Sequence, residues 1–408
     1  MRIALTVAGL LLASSAHAAP LTYAAALAAA EKSSPNLQAR TLQMESARAA
    51  ARAAGALPDP KLAFGVENFP VSGPPAGRFN GDSMTMARIG ILQDMPNGAK
   101  RSAERARART EIAAAGAAAR LSLREVRVGT AMAWIDLNYA KARLKALDDL
   151  LAGLAPLWKT TPSSVASGAA RPAQSLEADQ MRADLEDRRS ELVAIVGRSR
   201  AELTRWTGDA DADVSGAAPS FEVDPVQLRA AIERNPLLGA RDAMTRQAEA
   251  DVALARADKR PDWSWELAYQ RRDPMFGDMV SAGVTISLPI FAARRQDPII
   301  ASKVAAAGQA RAEREVSRRE IIAQLDVALA DHLMHHDQWR RATDVLVPLA
   351  KQRADLETAS YGAGRAGLTD VVQAFTQLAN AQLTLLDREA AVASDAARLV
   401  LSYGSDDQ

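Results

Sequence analysis

The chain carries one pattern twice. Leu21–Arg40 closes on Pro35, Leu37, Ala39 and Arg40, and Val223–Arg241 closes on Pro236, Leu238, Ala240 and Arg241 at a constant offset. Each stretch continues as an alanine-rich helical segment that stops at proline, Pro58-Asp59-Pro60 in one half and Pro261-Asp262 in the other, because proline lacks the amide donor and disfavours helix before it. Whatever the first half folds into, the second must follow, so elements are expected in pairs.

After each proline the period changes from helical to alternating. Trp263, Trp265, Leu267 and Tyr269 share one face, with Ser264, Glu266, Ala268 and Gln270 on the other. Val280, Ala282, Val284, Ile286 and Leu288 oppose Ser281, Gly283, Thr285 and Ser287 in the partner strand. The first-half strands, about 62–69 and 84–95, are less regular, with Leu62, Phe64 and Val66 on one face and Ile89 and Ile91 on one face. Turn residues Gly73 to Gly81 and the loop Arg271–Asp278 join the strands, and Pro96 and Pro289 mark the exits.

Each half then forms a long helical hairpin with heptad-like apolar spacing, as in Ile321, Leu325, Leu329 and Leu333. The turns are expected at Pro156 to Pro172 and at Pro348 to Gly367. Aromatics make up only 4% of the chain, which suits closely packed alanine-rich helices. The fold class is therefore mainly α with a small transmembrane β part, in two tandem helix-strand-strand-helix repeats.

Arg2, the apolar run Ile3–Ala13 and the small-residue site Ala16-His17-Ala18 read as a secretory signal. The expected organisation is a signal peptide at 1–18, a first repeat at 19–208, a linker at 209–222 and a second repeat at 223–408. No later segment offers the roughly 20 apolar residues of a membrane helix, so a membrane span has to use strands. Four strands cannot close alone. Their free edge amides and carbonyls would cost several kcal/mol each in hydrocarbon, which requires other copies, and three copies give a 12-strand barrel within the known range of about 8 to 26. A soluble coiled-coil protein with two incidental hairpins leaves this alternation unexplained.

With 50 basic and 49 acidic residues there is no basic surface for nucleic acid. Zero cysteines excludes disulfides, zinc-thiolate sites and a lipid-bearing cysteine. No nucleophile-base pair, phosphate loop or paired catalytic carboxylates appear, so the chain reads as a conduit rather than an enzyme, with no cofactor.

These residues resemble the TolC-type outer-membrane efflux proteins over essentially the whole mature length. The most specific stretch runs from Tyr361-Gly362-Ala363-Gly364 through Asp370-Val371-Val372-Gln373-Ala374, and its first-half echo is Ser167-Gly168 leading to Glu177-Ala178. Leu57-Pro58-Asp59-Pro60-Lys61-Leu62, Asp82-Ser83-Met84-Thr85-Met86 and Gln93-Asp94-Met95-Pro96 are most similar to the heavy-metal branch. The resemblance implies a homotrimer in outer-membrane lipid, its 12-strand barrel continued by a long α-helical barrel in the periplasm. It also implies docking to a periplasmic adaptor (membrane fusion) protein and an inner-membrane proton-driven RND pump. The same duct serving drug or peptide export is the nearest alternative, and a periplasmic coiled-coil adaptor is the alternative of a different class.

The resemblance places Asp370 at a ring of acids at the inner end of the tunnel, with Gln373 replacing the family's second acid and Gln174 and Glu177 as their first-half counterparts. An ordinary helix-start acid, favoured by the dipole, is an equal reading of Asp370. His332, His335 and His336 are metal-ligand candidates on one helix, against a solvated helix surface as the alternative. Met84, Met86, Met95, Met275 and Met279 offer soft ligands, or simply packing.

Overall fold

The computed structural model describes residues 20–166 and 172–404, so the signal segment at 1–18 lies outside the described residues. In the first half α1 (Tyr23–Ser33) and α2 (Pro35–Ala53) lead into β1 (Lys61–Glu67) and β2 (Met86–Met95), followed by α3 (Gly98–Ala166) and α4 (Pro172–Thr207). In the second half α5 (Pro225–Ala231) and α6 (Pro236–Ala257) lead into β3 (Asp262–Arg271) and β4 (Met279–Ser287). Then come α7 (Ala292–Arg341), a π-helical turn at Ala342–Leu346, α8 (Val347–Gly362) and α9 (Leu368–Tyr403). The element order is that of two tandem helix-strand-strand-helix repeats. Pro35 and Pro236 open the matching helices α2 and α6, a position where the missing N–H sacrifices no bond.

Two compact units emerge, and both draw on both halves: one comprises 38–122 and 236–320, the other the remaining stretches up to 37, 123–235 and from 321. Within the first, the repeats use the same device. Arg40 Nε donates to the buried Ser122 Oγ at 3.0 Å, and its repeat mate Arg241 Nε donates to the buried Ser317 Oγ at 3.1 Å. Arg107 pairs with Asp251 at 2.6 Å and Arg314 with Asp242 at 3.0 Å. Asn97 caps α3, its Oδ1 accepting from Lys100 N–H at 2.8 Å, and its own backbone N–H donates to Asp262 Oδ1 at 2.7 Å, tying the start of α3 to the start of β3.

In the second unit the core is Trp134, Ile135, Leu137, Leu203, Val214 and Ala397, continued by Leu147 and Leu154 of α3 against Leu185 and Leu192 of α4 and Leu383 of α9. Leu21 bridges Val214 in parallel, and Trp134 Nε1 donates to the Leu21 carbonyl at 2.9 Å. The 209–222 segment is thereby stitched to the start of the described chain. Burial pushes the Tyr23 hydroxyl, packed edge-on to Trp134, up to about 12.

Three local expectations change. α3 continues to Ala166, past Pro156 where the expected Pro156 to Pro172 turn begins, supported by Leu154 buried against α4. Pro348 opens no loop. It stands at the start of α8 directly after the π-helical turn, where its missing N–H is tolerated, and the connection shrinks to Ala363–Gly367. In the Ile321 stripe, Ile321 and Leu325 are buried but Leu333 is 64% exposed, because each four-residue step overshoots a helical turn by about 40°.

Candidate transmembrane sheet and periplasmic turn

Alternating sequence makes the strands, and their pairing makes one antiparallel sheet in the order β1-β2-β3-β4. The two hairpins are joined through β2 and β3, from Ala87 opposite Arg271 to Met95 opposite Trp263. Register lines the apolar residues into rows: Phe64, Ile89, Tyr269 and Val280 in one, Leu62, Ile91, Leu267 and Ala282 in the next. This face is open. Phe64 is 82% and Val284 67% exposed, an apolar band that water would not tolerate.

The other face is polar and internally paired. Arg88 sits between two acids, donating Nη1 to Glu67 Oε1 at 2.6 Å and Nη2 to Glu266 Oε1. Lys61 pairs with Asp94 at 2.7 Å, and Gln270 Nε2 donates to Ser281 Oγ at 2.8 Å. The outer edges of β1 and β4 have no partner strand among the described residues. At 10, 10 and 9 residues, β2, β3 and β4 reach the roughly 9–11 that a tilted membrane strand needs, while β1 is shorter at 7.

Between α8 and α9, the turn is built by glycine chemistry. Gly364 has φ +70°, its N–H donates to the Tyr361 carbonyl at 2.9 Å, and Arg365 N–H donates to the Ser360 carbonyl at 2.9 Å. These are the two bonds of a Schellman cap, which explains the spacing Tyr361-x-x-Gly364. α9 then starts with Gly367 N–H donating to Asp370 Oδ2 at 2.8 Å. Leu368, Val371, Val372 and Ala374 are buried, which leaves Asp370 and Gln373 exposed on the opposite side. Asp370 thus caps its helix and still presents its carboxylate to solvent. Glu177 is exposed on α4, while the side chain of Gln174 lies outside the described residues. Arg353 Nη1 donates to Gln377 Oε1 at 2.7 Å, tying α8 to α9.

Residues 228–405 match the family model described as "Outer membrane efflux protein". The fold is that of the Campylobacter jejuni CmeC outer membrane channel, with a TM-score of 0.80 at 14% identity over 94% of this chain and 85% of that one. The second repeat is therefore similar to the outer membrane efflux proteins, and the chain shares the fold of such channels. The first repeat, which precedes the matched residues, lies within the structural match and has the same order of elements. CusC, whose crystal structures are described in terms of conformational changes accompanying folding and transmembrane channel formation, gives a TM-score of 0.78 at 16% identity, covering 94% and 92%. The cobalt-zinc-cadmium resistance protein CzcC of Cupriavidus metallidurans is 25% identical over 379 residues, 90% of this chain and 86% of that protein.

No helix among the described residues is long and apolar enough to cross a membrane. The three α7 histidines occupy a half-buried flank: His335 Nδ1 lies 2.7 Å from Asp395 Oδ2 of α9, and the His332 and His336 ring centres are 6.4 Å apart. Among the described residues no three histidine, aspartate or glutamate side chains are grouped to hold a metal ion. Met86 and Met279 lie on the polar side of the sheet, Met84 and Met275 are exposed in its loops, and Met95 ends β2 on the apolar side. The Arg88 pairing escapes sequence reading, although the polar-face parity of Arg88 and Glu266 is its visible trace.

Proposed function

We propose that the protein is the exit duct of a tripartite efflux pump that carries heavy-metal cations out of the cell. The observation that carries the duct is the sheet: one apolar face, one polar face and two bare edges, a surface that is stable in a bilayer only when copies close it. Three copies of four strands close a barrel, with the apolar rows toward lipid and the Arg88 face toward the lumen. The mature chain then follows removal of residues 1–18, with repeats at 19–208 and 223–408 about the 209–222 linker. A periplasmic adaptor and an inner-membrane proton-driven RND pump supply the delivery and the energy that a passive duct lacks. Similarity to CzcC, a cobalt-zinc-cadmium resistance protein, over most of both chains supports metal cations as cargo.

Asp370 is assigned to the periplasmic constriction, with Gln373 beside it and Gln174 and Glu177 as the first-half lining. Carboxylates converging on a pore axis attract cations and repel one another. Asp370→Ala is expected to lower cation preference or alter single-channel conductance in a planar bilayer; an unchanged current trace removes it from the constriction. Cargo is tested by deleting the gene in a strain without a redundant pump. Increased sensitivity to cobalt, zinc or cadmium with unchanged dye and antibiotic tolerance is expected, and the reverse pattern overturns the metal assignment.

A further inference from the structure

We propose that His332 and His336 form a binding site for a borderline divalent transition-metal ion on the flank of α7. The two residues stand one turn apart, i and i+4, so both imidazoles rise from one helix face. Their ring centres are 6.4 Å apart with planes inclined at 51°. A tetrahedral ion at about 2.0–2.1 Å from each nitrogen brings ring centres to roughly 5 Å, a gap that rotation of the two rings closes.

The surroundings favour a ligand role for these rings. His332 Nδ1 is buried with no hydrogen-bond partner, an orphaned atom that a metal ion or a reoriented ring would satisfy. Burial in the first place, then the neighbouring His336 and His335, hold His332 below the usual imidazole range against the opposing pull of Asp395. Asp395 is engaged by His335 Nδ1 at 2.7 Å, which braces α7 against α9 and leaves a carboxylate charge beside the site without consuming either ligand.

Two imidazoles with water completing the sphere define a weak, exchangeable site, consistent with the absence of any three-ligand group among the described residues. Imidazole nitrogen selects zinc, cobalt, nickel and copper over magnesium and calcium. The site rests on helix geometry and goes beyond the cargo assignment: cargo is read in a deletion strain, this site in the purified protein.

The only other histidine in the chain is His17, so an untagged mature protein has imidazoles in this patch alone. Zinc titration by calorimetry on the detergent-solubilised protein is expected to show one ion per chain. Affinity should fall by more than about tenfold in His332→Gln and in His336→Gln, without competition from magnesium. The Trp339 ring lies 5.4 Å from His336, so copper(II) at the site should quench its fluorescence, and Trp339→Phe should remove that share of the quenching. Circular dichroism checks that each variant remains helical. Stoichiometric zinc uptake that survives the double His332→Gln, His336→Gln change, or no uptake by the native protein, overturns the proposal.

Discussion

At the scale of single residues, packing at one helical glycine controls how α3 and α4 meet. A Cβ added at Gly129 would lie 2.1 Å from the Trp206 ring, whereas at Gly116 the nearest side-chain atom is 4.0 Å away. Gly129→Ala is expected to cost about 1–3 kcal/mol, and Gly116→Ala to be neutral or stabilising by about 0.5–1 kcal/mol, both read as thermal midpoints. Equal effects would mean that Trp206 yields without cost. Asp213 makes a second test. Burial raises its pKa, but Lys141 Nζ at 2.8 and 2.9 Å, the Val214 N–H and Arg200 outweigh that and hold it below the usual carboxylate value. A lowered folded pKa means that the stabilisation is present above the unfolded pKa of about 3.9 and is lost as pH falls through the folded one. Asp213→Asn should therefore lower the melting temperature at neutral pH, with the difference narrowing below about pH 4; a constant difference contradicts the pairing.

At the scale of elements, the two faces of β4 make opposite demands. Val284→Arg puts a charge on the apolar side, expected to cost about 2–4 kcal/mol at mid-membrane, while Thr285→Arg on the polar side should leave insertion intact and change conductance instead. Outer-membrane yield and planar-bilayer current separate the two, and equal loss in both variants contradicts the face assignment. The alternation that identifies these faces was plain in β3 and β4, where Trp263 to Tyr269 and Val280 to Ile286 keep strict parity. Joining the hairpins was not legible, because parity fixes which way a side chain points and not which strand lies beside it. That choice falls to contacts between distant residues, Arg88 with Glu266 and Gly90 against Ala268. The same limit hid the Leu21 and Val214 bridge, a single contact between segments with no regular period. Pro348 misled for another reason. Proline marks a break only where its missing N–H matters, and after a π-helical turn it does not. Of the proposed constriction, the Gly364 cap and the buried Val371 and Val372 face were readable from motif and period, whereas which neighbours Asp370 would meet across a pore depends on chains outside a single sequence.

For the whole molecule, the sheet sets the requirement. A chain with four strands, bare outer edges on β1 and β4 and an exposed apolar face is incomplete in a membrane, and duplication within the chain supplies only part of the closure. In the proposed trimer every strand edge gains a partner, and the lumen would carry three sets of the Arg88, Glu67 and Glu266 cluster. Native mass spectrometry of the protein extracted from outer membranes in mild detergent reads this stoichiometry. Three chains per particle is the expected mass, and a particle of one chain, or recovery of the protein as a soluble periplasmic monomer, would contradict the closed barrel.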